Sequence, residues 1–416
     1  MPWIAGYSSA FVQDAFDHYL PDVDDATILD PFAGVGTTLI EAQLRGWSAI
    51  GFDINPYAAM ACRAKLSAAG IEPDELADLI TEYQATAGDQ ETLIDTGALN
   101  GCRPTSTAPA GFKTRIDFYS PRVMQKVLFT RDFIDSVENS ALRDLMNLAF
   151  ASVMVSFSNY SYEPSLGSRP GAGKPLIEDA SVVEILSSKL QLMLDDVEWL
   201  RGRESGSDEW AVYEQSFLEP ECPVHANSVD LIVTSPPYLN NYHYVRNTRP
   251  QMYWLGFATS PAQLRSLEET NFGKFWQTVR EQEPIRLDFE HSQLAAQIEI
   301  IRGLRVEKGI YGGNGWANYA ATYYNDTFRF VSRIHDVLVP GGAAIIVVGN
   351  SLLQGVELKV EQHLGEIGEM CGLVCEDVHI VRQKRVGSSI VNTGAREAAG
   401  SKVMLYDAAT VLRKPK

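Results

Sequence analysis

Thr27-Ile28-Leu29-Asp30-Pro31-Phe32-Ala33-Gly34-Val35-Gly36-Thr37-Thr38 is the stretch on which the fold turns. A short apolar run ends in a carboxylate and a turn with two glycines follows. Residues 37–45 then carry Leu39 and Ala42 at helical spacing, up to a stop at Gly46. Residues 48–53 read as a second short strand ending in an acid, and Pro56 opens a further helix. Strand, helix, strand, helix at this spacing predicts parallel β-α-β units with right-handed crossovers, and hence a doubly wound α/β sheet. Glycines at 34 and 36 let backbone approach a ligand, and a helix starting at Thr37 presents unpaired N–H groups. Dinucleotide sites share this geometry, but no third glycine stands at their spacing. Asp53, seventeen residues after Gly36, is placed to accept hydrogen bonds from two ribose hydroxyls.

From about 72 to 203 the pattern is mainly helical, with amphipathic segments expected over 74–83, 121–135, 141–157 and 179–200. The α/β pattern resumes near Val212. Residues 229–233 form an apolar strand that runs into Thr234-Ser235-Pro236-Pro237-Tyr238. A polar and aromatic excursion, read as a loop insertion, spans 239–317. A helix is expected over 319–338, a turn at Pro340-Gly341-Gly342, a strand over 343–348 and a helix over 357–371. Two last strands are expected over 374–382 and 402–412.

Consecutive prolines fix φ and remove two N–H donors. The carbonyls beside Pro236 and Pro237 can therefore accept hydrogen bonds from a ligand amine. Ser235 adds a hydroxyl acceptor, and Tyr238 offers a flat face for stacking on a base. Either motif alone could be a structural turn; the pair is far more specific. With both present the chain resembles the DNA amino-methyltransferases, whose signatures are an F-x-G-x-G cofactor loop and an (S/N/D)-P-P-Y catalytic loop. The likeness extends to Ala10-Phe11, Pro340-Gly341-Gly342, Val348-Gly349-Asn350-Ser351 and Val411-Leu412-Arg413-Lys414-Pro415, over residues 3–70 and 212–415.

That resemblance implies a Rossmann-like S-adenosylmethionine-dependent methyltransferase core, finished by a C-terminal antiparallel hairpin and carrying a largely helical insertion. It implies S-adenosylmethionine as cofactor, held by Phe11, Asp30, Phe32, Ala33, Gly34, Gly36, Thr37, Asp53, Ile54 and Gln215, with Phe11 on the methionine end and Ile54 against the adenine. The family often has an Asp contacting the adenine amine; the aligned residues here are Glu214-Gln215-Ser216, so Gln215 stands in that place. Ser235, Pro236, Pro237 and Tyr238 are the implied catalytic residues. The serine form resembles the cytosine-N4 enzymes more than the adenine-N6 ones. Transfer would be direct, without a cysteine nucleophile, onto a base flipped out of duplex DNA.

Tyr242, Tyr244, Arg246 and Arg249 mix rings with cations as a flipped base and its phosphates require, and Arg382, Lys384 and Arg385 form a second basic patch. Arg169 to Lys174 is a third. GSRPGAGKP at 167–175 fails as a phosphate loop, with wrong glycine spacing and Pro175 in place of Ser or Thr. The provisional division is 1–70 and 212–416 as the two halves of the core, with 71–211 as the target-recognition region and 239–317 as its rival.

With 45% hydrophobic and 21% charged residues, the chain has the composition of a globular protein. A net charge of −18 argues against non-specific coating of nucleic acid while leaving room for a local basic cleft. Five scattered cysteines fit reduced thiols, no Cys/His set stands at zinc-finger spacing, and no metal is expected. No apolar run reaches membrane-spanning length and no leader is apparent, so a cytoplasmic protein is expected; the resemblance implies double-stranded DNA as substrate and leaves room for a restriction or defence-system partner. Two competing readings use the same features: an RNA or protein N-methyltransferase on this core, and a cofactor-binding regulator without catalysis.

Overall fold

The computed structural model describes residues 6–99, 101–162, 165–202, 209–239, 244–383 and 403–416. Tyr242, Lys384 and Arg385 lie outside them. The strands in chain order are β1 (Thr27–Asp30), β2 (Ser48–Phe52), β3 (Tyr160–Tyr162), β4 (Leu166–Ser168), β5 (Trp210–Tyr213), β6 (Val229–Thr234), β7 (Leu338–Gly349), β8 (Ser351–Leu353), β9 (Val356–Leu358), β10 (Val374–Gln383) and β11 (Tyr406–Arg413). Seven form one sheet in the order β10-β11-β7-β6-β1-β2-β5. β5, β2, β1, β6 and β7 run parallel, and β11 is antiparallel to both β7 and β10. This is the doubly wound α/β core closed by an antiparallel hairpin.

The chain divides into two compact units, one of Ile4–Ile54, Ser207–Tyr242 and Ser266–Lys416, the other of Asn55–Gly206 and His243–Arg265. The first holds the sheet. Ile28, Leu29, Leu231, Ile232, Val233, Ile345 and Ile346 are buried along its central strands. Each such side chain contributes about 1.5–3 kcal/mol relative to exposure. Helix Gly313–Val337 buries Ala317, Ala320, Tyr324, Phe330 and Ile334 in the same core. The Asp230 carboxylate accepts from the Thr27 N–H at 2.8 Å, fixing the start of β1 beside β6.

The second unit contains helices Pro56–Ser67, Pro73–Thr96, Pro121–Ser136, Ser140–Val153 and Val182–Arg201 and the β3–β4 hairpin. Asn55 caps the first of them, its side chain accepting from the Tyr57 N–H at 3.1 Å. Buried Lys126 is paired with Asp95 at 2.9 Å and Asp179 at 2.8 Å.

Three sequence expectations need correction. Helix Pro56–Ser67 groups with the helical unit rather than with the first half of the core. The 239–317 excursion is not a loop but holds helices Arg249–Trp254, Pro261–Thr270 and Ser292–Arg302, divided between the two units. Residues 357–359 do not begin a helix: β9 pairs with β8, and the helix is Val360–Met370. Among the described residues no helix is long and apolar enough to cross a membrane.

Candidate active site

The direction of connection reverses between β1 and β6, neighbours in the middle of the parallel sheet. In open α/β sheets ligands bind beyond the carboxyl ends of strands at such a switch point. Both sequence motifs leave the sheet there. Leu29 lies beside Ile232 in register, so the glycine turn after Asp30 and the Ser-Pro-Pro-Tyr turn after Thr234 emerge side by side.

A buried network locks the two turns together. Thr234 Oγ1 donates to Asp30 Oδ1 at 2.6 Å, and the Phe32 N–H donates to the same oxygen at 3.0 Å. The Tyr7 hydroxyl stands 2.6 Å from Thr38 Oγ1, 2.9 Å from the Val233 carbonyl oxygen and 3.0 Å from Asp30 Oδ2. Thr38 Oγ1 reaches the same carbonyl at 3.1 Å. Burial raises the Asp30 pKa, and the hydrogen bonds from Thr234, Phe32, Tyr7 and Thr38 oppose that shift. Burial likewise pushes the Tyr7 phenol well above its ordinary value, with the Asp30 charge adding to the effect. Asp30, expected among the cofactor contacts, is thus an inner clamp whose two oxygens are engaged by protein donors.

The glycine turn is built as the sequence requires. Gly34 and Gly36 have φ of 52° and 87°, a region that costs a residue with a side chain about 1–2 kcal/mol. Gly36 occupies the N-cap of helix Thr37–Leu44, and no side chain caps that helix. The Asp53 carboxylate, at the end of β2, accepts from the Gly34 N–H at 3.0 Å. Ile54 follows it half-buried, and Gln215 is half-buried just beyond β5, on the same carboxyl edge. Phe11, in helix Ser9–Tyr19, stands 5.4 Å from the Tyr7 ring. Phe32 turns its ring into the core, edge-on to Phe272 at 5.2 Å and Phe330 at 5.3 Å.

In the second turn Pro236 and Pro237 are buried, whereas Ser235 and Tyr238 are half-exposed. A Cβ on Gly349 would stand 2.9 Å from Cδ2 of Tyr238, so the ring lies against bare backbone at the end of β7. The edge therefore offers two left-handed glycines, a helix N-terminus without a side-chain cap, the Asp53 carboxylate and the half-exposed Ser235 and Tyr238. This donor and acceptor set fits a nucleoside-bearing cofactor and a planar amine.

The expected DNA contacts fare differently. Arg246 is exposed and Tyr244 half-buried in a short helix. Arg249 is engaged within the helical unit: its Nη2 donates to the Lys113 carbonyl at 2.5 Å, and the guanidinium lies over the rings of Phe112 and Tyr253. Arg382 donates through Nε and Nη2 to Asp407 Oδ2 at 2.9 and 2.7 Å. Both cations thus have structural partners that sequence could not reveal. Tyr7 is the residue that sequence reasoning missed, because its partners lie 23, 31 and 226 positions away.

The switch point with its two turns is the candidate active site. No family model matches the chain. It is 22% identical to the type II methyltransferase M.BsoBI of Geobacillus stearothermophilus over 422 residues, covering 92% of this chain and 80% of that protein. It is also 22% identical to the type II methyltransferase M.AvaI of Anabaena variabilis, with 92% and 81% covered. M.MvaI of Kocuria varians is 26% identical over 216 residues, 51% of this chain and 46% of that one. Among solved structures, a geranyl diphosphate methyltransferase has a TM-score of 0.32 at 8% identity, covering 98% of this chain and 77% of that one. The rRNA methyltransferase AviRa from Streptomyces viridochromogenes has a TM-score of 0.29 at 8% identity, with 99% and 87% covered. Similarity to type II methyltransferases thus runs along nearly the whole chain.

Proposed function

We propose that this chain is a site-specific DNA methyltransferase that moves the methyl group of S-adenosylmethionine to the exocyclic N4 of cytosine. The observation that carries the reading is the Thr234–Asp30 hydrogen bond, which fixes the serine–diproline turn beside the glycine turn on one sheet edge. The relationship to type II methyltransferases over 92% of the chain supports the enzyme class. The serine at 235 supports cytosine over adenine.

The cofactor supplies an electrophilic methyl on a sulfonium. The glycine turn and the N-terminus of helix Thr37–Leu44 would hold its amino-acid end, Asp53 would accept from its ribose, and Gln215 and Ile54 would receive the adenine. Ser235 Oγ and the Pro236 carbonyl accept hydrogen bonds from the two amine N–H groups, which turns the nitrogen lone pair toward the methyl carbon; the new N–C bond forms as the S–CH3 bond breaks, and one N–H proton then leaves to water. Positioning of this kind supplies much of the rate. Tyr238 stacks on the flipped base.

Single-molecule sequencing of host DNA with and without the gene tests the proposal. Gene-dependent N4-methylcytosine at one recurring sequence is expected. N6-methyladenine at such a sequence would overturn the choice of base, and no gene-dependent mark would overturn DNA as substrate.

A further inference from the structure

We propose that His291, His363 and Glu366 form a binding site for one divalent transition-metal ion of the zinc class, built from none of the residues assigned to methyl transfer. All three belong to the sheet-bearing unit. His291 stands at the N-cap of helix Ser292–Arg302, and His363 and Glu366 lie one turn apart on helix Val360–Met370. Their donor atoms lie within 4.8 Å of one another. His291 Nε2 is 2.8 Å and His363 Nδ1 3.0 Å from the same oxygen, Glu366 Oε2. The imidazoles cross at 79° with centroids 5.3 Å apart. Two imidazole nitrogens and a carboxylate are a donor set that borderline divalent ions accept, with water completing the tetrahedron.

The hydrogen bonds around His363 provide for an ion in one of its two tautomers. A neutral imidazole carries one N–H, yet both ring nitrogens face oxygens: Nδ1 faces Glu366, and Nε2 faces Gln297 Oε1 at 2.8 Å. With the proton on Nδ1 and the Gln297 amide turned, these groups pair without an ion; with the proton on Nε2 and donated to Gln297 Oε1, the Nδ1 lone pair and the Glu366 oxygen converge on one position for a cation. Metal-bound histidines characteristically donate their second N–H to an oxygen in this way. At His291 the Nδ1 accepts from the Leu294 N–H at a long 3.3 Å. Ion capture shifts the His291 proton from Nε2 to Nδ1 with no net change in protons, and the ring then has to turn its Nδ1–H off the Leu294 N–H, which loses its acceptor.

Access is suitable as well. The two imidazole side chains are 9% and 4% exposed and the Glu366 side chain 44%, so dry histidines sit behind a carboxylate that solvent reaches. The ring of Tyr324, wholly buried, closes the wall edge-on to His363 at 5.6 Å. The ligands come from segments 75 residues apart in sequence, which is why no spacing signal announces them.

The test uses the full chain purified without chelators, its metal content, and titration of the stripped protein with Co2+ followed by visible absorption. One equivalent of bound metal and the ligand-field bands of a low-coordinate Co2+ site are expected. Glu366→Gln and His363→Gln should abolish both, and Gln297→Ala should weaken binding about 10–100-fold. Glu366 is half-exposed, so its variant keeps the test valid if His363→Gln fails to fold. No saturable Co2+ spectrum in folded wild type, or a spectrum unchanged by Glu366→Gln, would overturn the site. So would nitrogen NMR showing both His363 ring nitrogens protonated at neutral pH, which marks a simple imidazolium–carboxylate pair.

Discussion

The ring of Tyr238 rests on the backbone of Gly349, with a Cβ at 349 falling 2.9 Å from ring carbon Cδ2. The glycine at the end of β7 therefore sets where the tyrosine face stands. Gly349→Ala should push the ring aside. Misplacement of about 1 Å at a reacting centre can cost 100-fold, so kcat should fall about 10–100-fold. Cofactor affinity, measured by calorimetry with S-adenosylhomocysteine, should hold, because the glycine turn is untouched.

Thr234→Val deletes the 2.6 Å bond to Asp30. Loss of a hydrogen bond to a charged group should lower stability by about 1.5–3 kcal/mol in urea unfolding. Burial already lifts the Asp30 pKa, so the carboxyl should titrate above the ordinary value of about 3.9 in carbon NMR. The Thr234 hydroxyl lowers it, so the variant should titrate higher still. Because the folded pKa is raised, the native state binds the proton more tightly. Stability from this group is therefore greatest at low pH and declines as pH rises through the window between the ordinary and folded values.

Tyr7→Phe keeps the ring against Phe11 and removes the hydroxyl shared among Asp30, Thr38 and Val233. Stability should drop by about 1–3 kcal/mol. With Thr38→Val the losses should be non-additive by about 0.5–3 kcal/mol, since both hydroxyls meet the same carbonyl. Simple additivity in a double-mutant cycle would contradict a shared network.

Arg246→Ala and Arg382→Ala should separate the two kinds of arginine. Arg246 is exposed, and its loss should weaken DNA binding and lower the salt slope by roughly one phosphate contact. Arg382 is bound to buried Asp407, and its loss should lower the melting temperature while leaving the salt slope unchanged. Thermal melts beside fluorescence anisotropy over a salt series make the comparison.

What sequence revealed follows the range of the forces involved. β1 and β6 are apolar runs that end at the residues read as motifs, and the left-handed Gly34 and Gly36 sit where the pattern demanded small residues. These are local signals. The Pro340-Gly341-Gly342 turn instead lies inside β7, because the distant C-terminal strand reaches it: the Gly341 N–H donates to the Lys414 carbonyl and the Lys414 N–H to the Gly342 carbonyl, each at 2.9 Å. Tyr7, the Arg382–Asp407 pair and the histidine cluster share that character. Each depends on partners far along the chain, which neither periodicity nor motif spacing encodes.

Transfer from methyl-labelled S-adenosylmethionine to unmethylated DNA in vitro, with digestion and mass spectrometry of the nucleosides, tests the central claim most directly. Label on N4 of deoxycytidine is predicted for wild type, with loss of about 100-fold or more in kcat for Ser235→Ala and Tyr238→Ala. Labelled deoxycytidine undiminished in both variants would contradict the account, as would a wild-type protein that binds cofactor and labels no nucleoside.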